Sequence, residues 1–206
     1  MDGKHLVVPY AAQCDNSGWY SDSAAGNTQC NATSHTMLLM YLIPDFAARS
    51  QRNGFAEPED YFKSKLKNYT SNRGDHDGFT RCLEREFAIV SQWRYDLVKQ
   101  DLIDSLDASI PMTLGFQYKT SGHIVIATGY DDQFGYINDP YGIRQGTEDF
   151  YAVINPGHGD QDGKNDRYSW NSLNTVLFEG GGWGRVIQSL NGQSTGLQSL
   201  LDRKPA

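Results

Sequence analysis

The run Cys30-Asn31-Ala32-Thr33-Ser34-His35-Thr36-Met37-Leu38-Leu39-Met40-Tyr41-Leu42-Ile43, closed by Pro44, constrains this chain more than any other segment. Its apolar residues are nearly continuous, so it predicts a helix buried on most sides that stops before the proline. A helix of that kind needs other elements to wrap it. The chain has 206 residues, enough for one domain or two tight subdomains around a sizeable core. The longest purely apolar stretch, Met37 to Ile43, is too short to cross a bilayer.

Around that helix the pattern changes from helical to extended. Leu6-Val7-Val8-Pro9-Tyr10 reads as a short strand, followed by a polar surface loop up to Gln29. Pro58–Asn68 and Thr80–Phe87 read as helices, the first with its proline in the opening turn. Asp101–Ser109 predicts a short helix and Pro111–Tyr118 a strand. His123–Tyr130 and Tyr136–Asp139, joined by Asp131-Asp132-Gln133-Phe134-Gly135, read as a β-hairpin. Phe150–Ile154 predicts a strand, 155–166 a long loop, and Trp170–Phe178 a helix or a strand. Helices first and strands later indicate the α+β class, a helical lobe against a sheet lobe with a cleft between them. The expected division is one domain over 1–180 and an extension of undetermined structure over 181–206. Gly180-Gly181-Gly182-Trp183-Gly184 is either a substrate-contacting loop or a hinge to that extension.

Composition removes several function classes. Lys and Arg number 18 against 25 Asp and Glu, a net charge of −7, which argues against a nucleic-acid binder needing a basic stripe. The three cysteines, Cys14, Cys30 and Cys82, exclude a disulfide scaffold and leave at least one free thiol. The first residues lack the basic-then-apolar order of a secretory signal, so the expectation is a cytoplasmic chain as synthesised, or a module of a longer protein. Asp75-His76-Asp77-Gly78 with Glu84 partly matches a calcium loop, but Arg73 stands where the first carboxylate ligand belongs. A helix-opening turn is the simpler reading there. No metal or cofactor is called for.

Cys30 falls at the start of the predicted buried helix, where partial positive charge and unpaired N–H groups stabilise a thiolate. Position alone favours the plainer reading, a cysteine buried as a small apolar side chain. A thiolate needs a base, and His123 opens the apolar hairpin while Asp139 ends its returning strand. Folding about Asp131 brings both to the open end of the sheet, where an acceptor would fix the imidazole's tautomer. Spacing alone leaves the alternative of a surface histidine and a turn-forming aspartate before Pro140.

Four blocks then carry a resemblance. They are Val8-Pro9-Tyr10-Ala11-Ala12-Gln13-Cys14-Asp15-Asn16, Cys30-Asn31-Ala32-Thr33-Ser34, Gly122 to Asp131, and Asn138-Asp139-Pro140-Tyr141-Gly142. In order and spacing they resemble the C39-like, bacteriocin-processing-peptidase-like branch of the papain-like cysteine peptidases, including single-domain members from bacteria and their phages. The resemblance implies a papain-like two-lobed fold, with the nucleophile on the helical lobe and the His/Asp pair on an antiparallel sheet. It implies Cys30 as nucleophile, His123 as general base and acid, Asp139 as the residue orienting it, and Gln13 as an oxyanion-hole donor. Gln29 is a rival for that last role. The implied activity is hydrolysis of peptide bonds through a thioester acyl-enzyme, on a protein or on the peptides of peptidoglycan. Alternatives are an acyl transferase, or a papain-like fold kept as a non-catalytic binding module. A phage-encoded enzyme would be virion-associated or released to the cell wall, and a partner domain would supply wall recognition. Two departures stand out: the segment between Gln13 and Cys30 is long, and Asn31 replaces a glycine common in the processing peptidases.

Overall fold

Helix α1 (Cys30–Leu42) forms where the apolar run begins, and Asn31 through Leu39 are all buried. Met37, Leu38 and Leu39 are fully buried, and each contributes roughly 1.5–3 kcal/mol relative to exposure. Ile43 leaves the helix in an extended conformation, as a residue before proline must, and its N–H closes on the Leu39 carbonyl. Helices α2 (Phe46–Arg52), α3 (Pro58–Leu66) and α4 (His76–Phe87) complete the helical lobe. Asp75 caps α4 by accepting from the Gly78 N–H at 2.9 Å, so the acidic stretch there is a helix-opening turn. The structure, a computed structural model, describes residues 3–14, 28–118, 121–144, 153–154, 161–179 and 181–202.

The sheet lobe is built from β1 (Lys4–His5), β2 (Ile89–Leu97), β3 (Met112–Tyr118), β4 (Ser121–Tyr130), β5 (Phe134–Asn138), β8 (Asp166–Ser169), β9 (Gly182–Leu190) and β10 (Gln193–Ser194). Helix α5 (Lys99–Asp107) links β2 to β3, and β6 (Gly142–Ile143) pairs with β7 (Val153–Ile154) in a separate ribbon. Helix α6 (Trp170–Leu173) runs into a π-helical turn over Asn174–Phe178, and α7 (Ser199–Asp202) ends the described chain. The main sheet runs β10–β9–β3–β4–β5–β8, with β2 on β9 and β1 on β4, and its pairings are antiparallel. Helix α1 packs on β4, and the Ser34 hydroxyl donates to the Ile124 carbonyl at 2.9 Å. This is the α+β arrangement expected from the order of elements, a helical lobe packed on an antiparallel sheet.

Several local expectations change. The strand expected over residues 6–10 does not form and β1 precedes it at Lys4–His5, because the Val8 N–H turns back to the Leu6 carbonyl (3.0 Å) and Pro9 has no N–H to give. Trp170–Phe178 is helical. Residues 182–190, left open by the sequence, form β9, flanked by β2 on one edge and by β3 and β10 on the other. Residues 15–27, 150–152 and 155–160, expected as loop or strand, lie outside the described residues. Among the described residues no helix is long and apolar enough to cross a membrane.

Candidate active site

Cys30 is the first residue of α1 and is half-buried. The partial positive charge and unpaired N–H groups of the first helical turn favour a thiolate at that position. Burial pushes the thiol's pKa up. The charge and hydrogen bond of His123, with a hydrogen bond from the Ile124 backbone, outweigh it, and the net shift is downward.

The β4–β5 hairpin supplies the base. Its register pairs Ile126 with Asn138, which sets Asp139 one step further, as a diagonal neighbour of His123. The His123 Nε2–H donates to Asp139 Oδ1 at 2.8 Å, so Nδ1 is the nitrogen presented to the Cys30 sulfur. Burial would lower the His123 pKa, but the charges of Asp139 and Cys30 and the hydrogen bonds to both raise it. The two directions agree: the pair favours thiolate and imidazolium.

Asp139 is fully buried and well anchored. Its Oδ1 also accepts from the Tyr141 N–H (2.9 Å), and its Oδ2 accepts from the Tyr168 hydroxyl (3.3 Å). Burial, then the nearby Asp139 charge, holds the Tyr168 phenol well above its ordinary pKa, so it remains a donor. The Asp139 N–H donates to the Gly163 carbonyl at 2.9 Å. Gly163 has φ +90°, and a Cβ there would stand 2.3 Å from the Asp139 carbonyl oxygen. Only glycine fits that approach. The Tyr10 hydroxyl donates to the same carbonyl at 2.8 Å, and the Gln13 N–H donates to the Pro140 carbonyl at 2.8 Å. The turn that carries Asp139 therefore also holds the Gln13 segment.

Cys30 and His123 border a cleft of about 540 Å³ between the lobes. The helical side contributes Cys30, Asn31, Arg73 and His76, and the sheet side His123, Tyr141 and Trp183, with Gln13 beside them. Gly122 and Gly115 make room for the Trp183 indole; a Cβ on either would come within 2.8 Å of its ring. The His76 ring stacks on Trp93 at 3.7 Å with the planes 4° apart. Burial and then the Arg185 charge push His76 down to about 4, so it is neutral at physiological pH.

Behind the cleft lies a buried arginine. Arg185, on β9, donates from Nε to His35 Nε2 (2.7 Å), from Nη1 to the Thr80 and Ser91 hydroxyls (2.8 and 3.0 Å), and from Nη2 to the His76 carbonyl (3.2 Å). Burial pushes its pKa down to about 9. His35 in turn donates from Nδ1 to the Asn31 carbonyl at 2.8 Å, which fixes a neutral tautomer. Burial and the Arg185 charge hold His35 well below its usual pKa. The chain of bonds runs from β9 to the residue after Cys30.

The structure thus brings Cys30, His123 and Asp139 into one hydrogen-bonded row and sets Gln13 on the same cleft. Gln29 sits buried at the N-cap of α1 and is not among the lining residues. Cys14 is half-buried away from the lining, and burial, with the Glu86 charge, pushes the Cys82 thiol up to about 12. Sequence reasoning did not find Arg73, His76 and Arg185 as site residues. The glycines around Trp183 were the one available signal for that side chain.

The sequence matches the Peptidase C39-like family over residues 5–174. No curated protein matches it. Among solved structures the chain is similar to a double glycine motif protease from an AMS/PCAT transporter in complex with the leader peptide, at 11% identity and TM-score 0.48, over 89% of this chain and 93% of that one. It is also similar to a protein described as a C39-like peptidase from Bacillus anthracis, at 13% identity and TM-score 0.47, over 92% and 100% of the two chains. The family match spans most of the chain, both lobes of the cleft included, and the chain belongs to the Peptidase C39-like family.

Proposed function

We propose that the protein is a cysteine peptidase that cleaves peptide bonds with Cys30, His123 and Asp139 as its catalytic row and Gln13 as oxyanion donor. The observation that carries this reading is the unbroken connection from a helix-start thiol, through both nitrogens of one imidazole, to a buried carboxylate.

In this mechanism the Cys30 thiolate attacks the scissile carbonyl carbon, forming a C–S bond and moving the π electrons onto oxygen. The Gln13 side-chain amide and the Cys30 backbone N–H donate to that oxyanion. His123 gives its Nδ1 proton to the departing amine as the C–N bond breaks, leaving a thioester. His123 then takes a proton from water, the hydroxide displaces the thiolate, and the acid product departs. Asp139 keeps Nε2 protonated and the ring aligned throughout; it orients His123 and transfers no proton itself.

Fluorescence-quenched peptides incubated with wild type and with Cys30→Ala test the reading. Wild type hydrolyses them and the variant does not, while both melt at similar temperatures. Undiminished hydrolysis by Cys30→Ala would remove the proposed nucleophile. Purified peptidoglycan, run in parallel, reports whether wall peptides are substrates.

A further inference from the structure

The helical side of the cleft carries polar groups that the proposed mechanism leaves unused. Asn31 is 4% exposed and lines the cleft. Its Nδ2 donates to the Arg73 carbonyl at 2.8 Å. A carbonyl can only accept, so the amide cannot be flipped, and Oδ1 is left buried with no hydrogen-bond partner. A buried acceptor in that condition carries an uncompensated desolvation cost. Through its Nδ2, Asn31 ties the Arg73 backbone to the start of α1.

Arg73, held beside Asn31 by the same bond, lines the cleft and is exposed. Its guanidinium has no ion pair or hydrogen bond among the described residues. The nearest carboxylate in sequence, Asp75, is engaged elsewhere: it accepts from the Gly78 N–H at 2.9 Å and pairs with Arg81 at 3.7 Å. No carboxylate belongs to the described lining of the cleft, although the chain as a whole is at −7. Apart from the Cys30–His123 pair, Arg73 is the one permanently charged side chain in that lining. His76 adds a neutral ring, braced on Trp93, to the same wall.

We infer that this wall is a substrate subsite that reads a carboxylate: Arg73 binds the acidic group of a residue near the scissile bond, and Asn31, through its bond to the Arg73 carbonyl, holds that segment in place beside Cys30. The substrate class is an acidic peptide, the carboxylate being either an Asp or Glu side chain or a free main-chain terminus. A guanidinium suits that group because it can engage both carboxylate oxygens with parallel N–H donors. The inference rests on the peptidase reading above.

The test is digestion of a mixed peptide library, read by mass spectrometry, followed by matched peptides carrying Glu, Gln or Lys at the enriched position. Wild type cleaves the Glu peptide with kcat/KM at least about tenfold above the Gln peptide, and the Lys peptide is the poorest. Arg73→Ala brings the Glu/Gln ratio to within about twofold of one, and Arg73→Glu moves the preference to Lys. Asn31→Ala raises KM more than it lowers kcat. Amidating the terminal carboxylate in a second peptide set abolishes the preference if the terminus is the group read, and leaves it intact if a side chain is. Cleavage with no preference for a carboxylate, or a preference that Arg73→Ala leaves unchanged, would overturn the subsite and leave the peptidase reading standing. Absence of any cleavage, with Cys30 no more reactive than Cys14 toward iodoacetamide, would instead overturn the peptidase reading.

Discussion

His123 divides its two nitrogens between a sulfur and a carboxylate, so each neighbour controls a different limb of the pH dependence. Loss of the Cys30 proton sets the acid limb and loss of the imidazolium proton sets the alkaline one. Because Asp139 raises the His123 pKa, Asp139→Asn should lower it again and draw the alkaline limb to lower pH. Its kcat/KM at neutral pH should fall on the order of 100-fold or more, and a pH–rate profile reads both effects. Gly163→Ala acts one residue further back. With φ +90° and a contact of 2.3 Å to the Asp139 carbonyl, the added methyl forces the turn away. A destabilisation of more than about 1 kcal/mol should appear as a lower urea midpoint, together with reduced turnover. Cys30, His123 and Asp139 stand out in the sequence by their positions at a helix start and at the open end of a hairpin, and the proposed roles come from the family resemblance. Hairpin folding predicts that His123 and Asp139 share one end of the sheet, but spacing alone does not decide between a hydrogen-bonded pair and a surface turn.

Helix α1 and the β4–β5 hairpin were readable because each writes its burial plainly, as a continuous apolar run and as a β-branched run folded on a short polar loop. Strands β2 and β9 broke those rules. In β2, Val90 is exposed while Ser91 is buried, which inverts the usual alternation. In β9, Gly182 and Gly184 flank Trp183, and Arg185, a residue type expected at the surface, is 1% exposed. Ser91 and Arg185 break the pattern for the same reason: they bond to each other, and Arg185 extends that bonding to α4 and, through His35, to α1. Arg185→Met would leave several of these acceptors buried without donors. The expected loss is roughly 2–4 kcal/mol of unfolding free energy, measured by urea denaturation. Arg185→Lys should recover only part of it, since one ammonium cannot reach all four acceptors in a fork's geometry.

At the scale of the molecule, two histidines of the helical lobe, the buried His35 and the half-buried His76, weaken the fold in acid. His35 and His76 have native pKa values below the unfolded value of about 6.5, so between those values the unfolded chain binds more protons than the native one. The contribution of these two histidines is therefore full above about pH 6.5 and falls as the pH drops beneath it, with His35 alone worth about 1.4 kcal/mol per pH unit. Melting temperatures at about pH 7.5 and about pH 5.5 should differ in that direction, and His35→Gln, if folded, should shrink the difference. The central claim concerns the thiols: Cys30 is an activated nucleophile, and Cys14 and Cys82 are not. Alkylation of the native protein by iodoacetamide, followed at each cysteine by mass spectrometry across pH, tests it most directly. Cys30 should label fastest, with a rate that stays high well below the ordinary thiol pKa of about 8.5, and His123→Ala should slow it. Uniform labelling of the three thiols that rises only near that pKa would contradict the account.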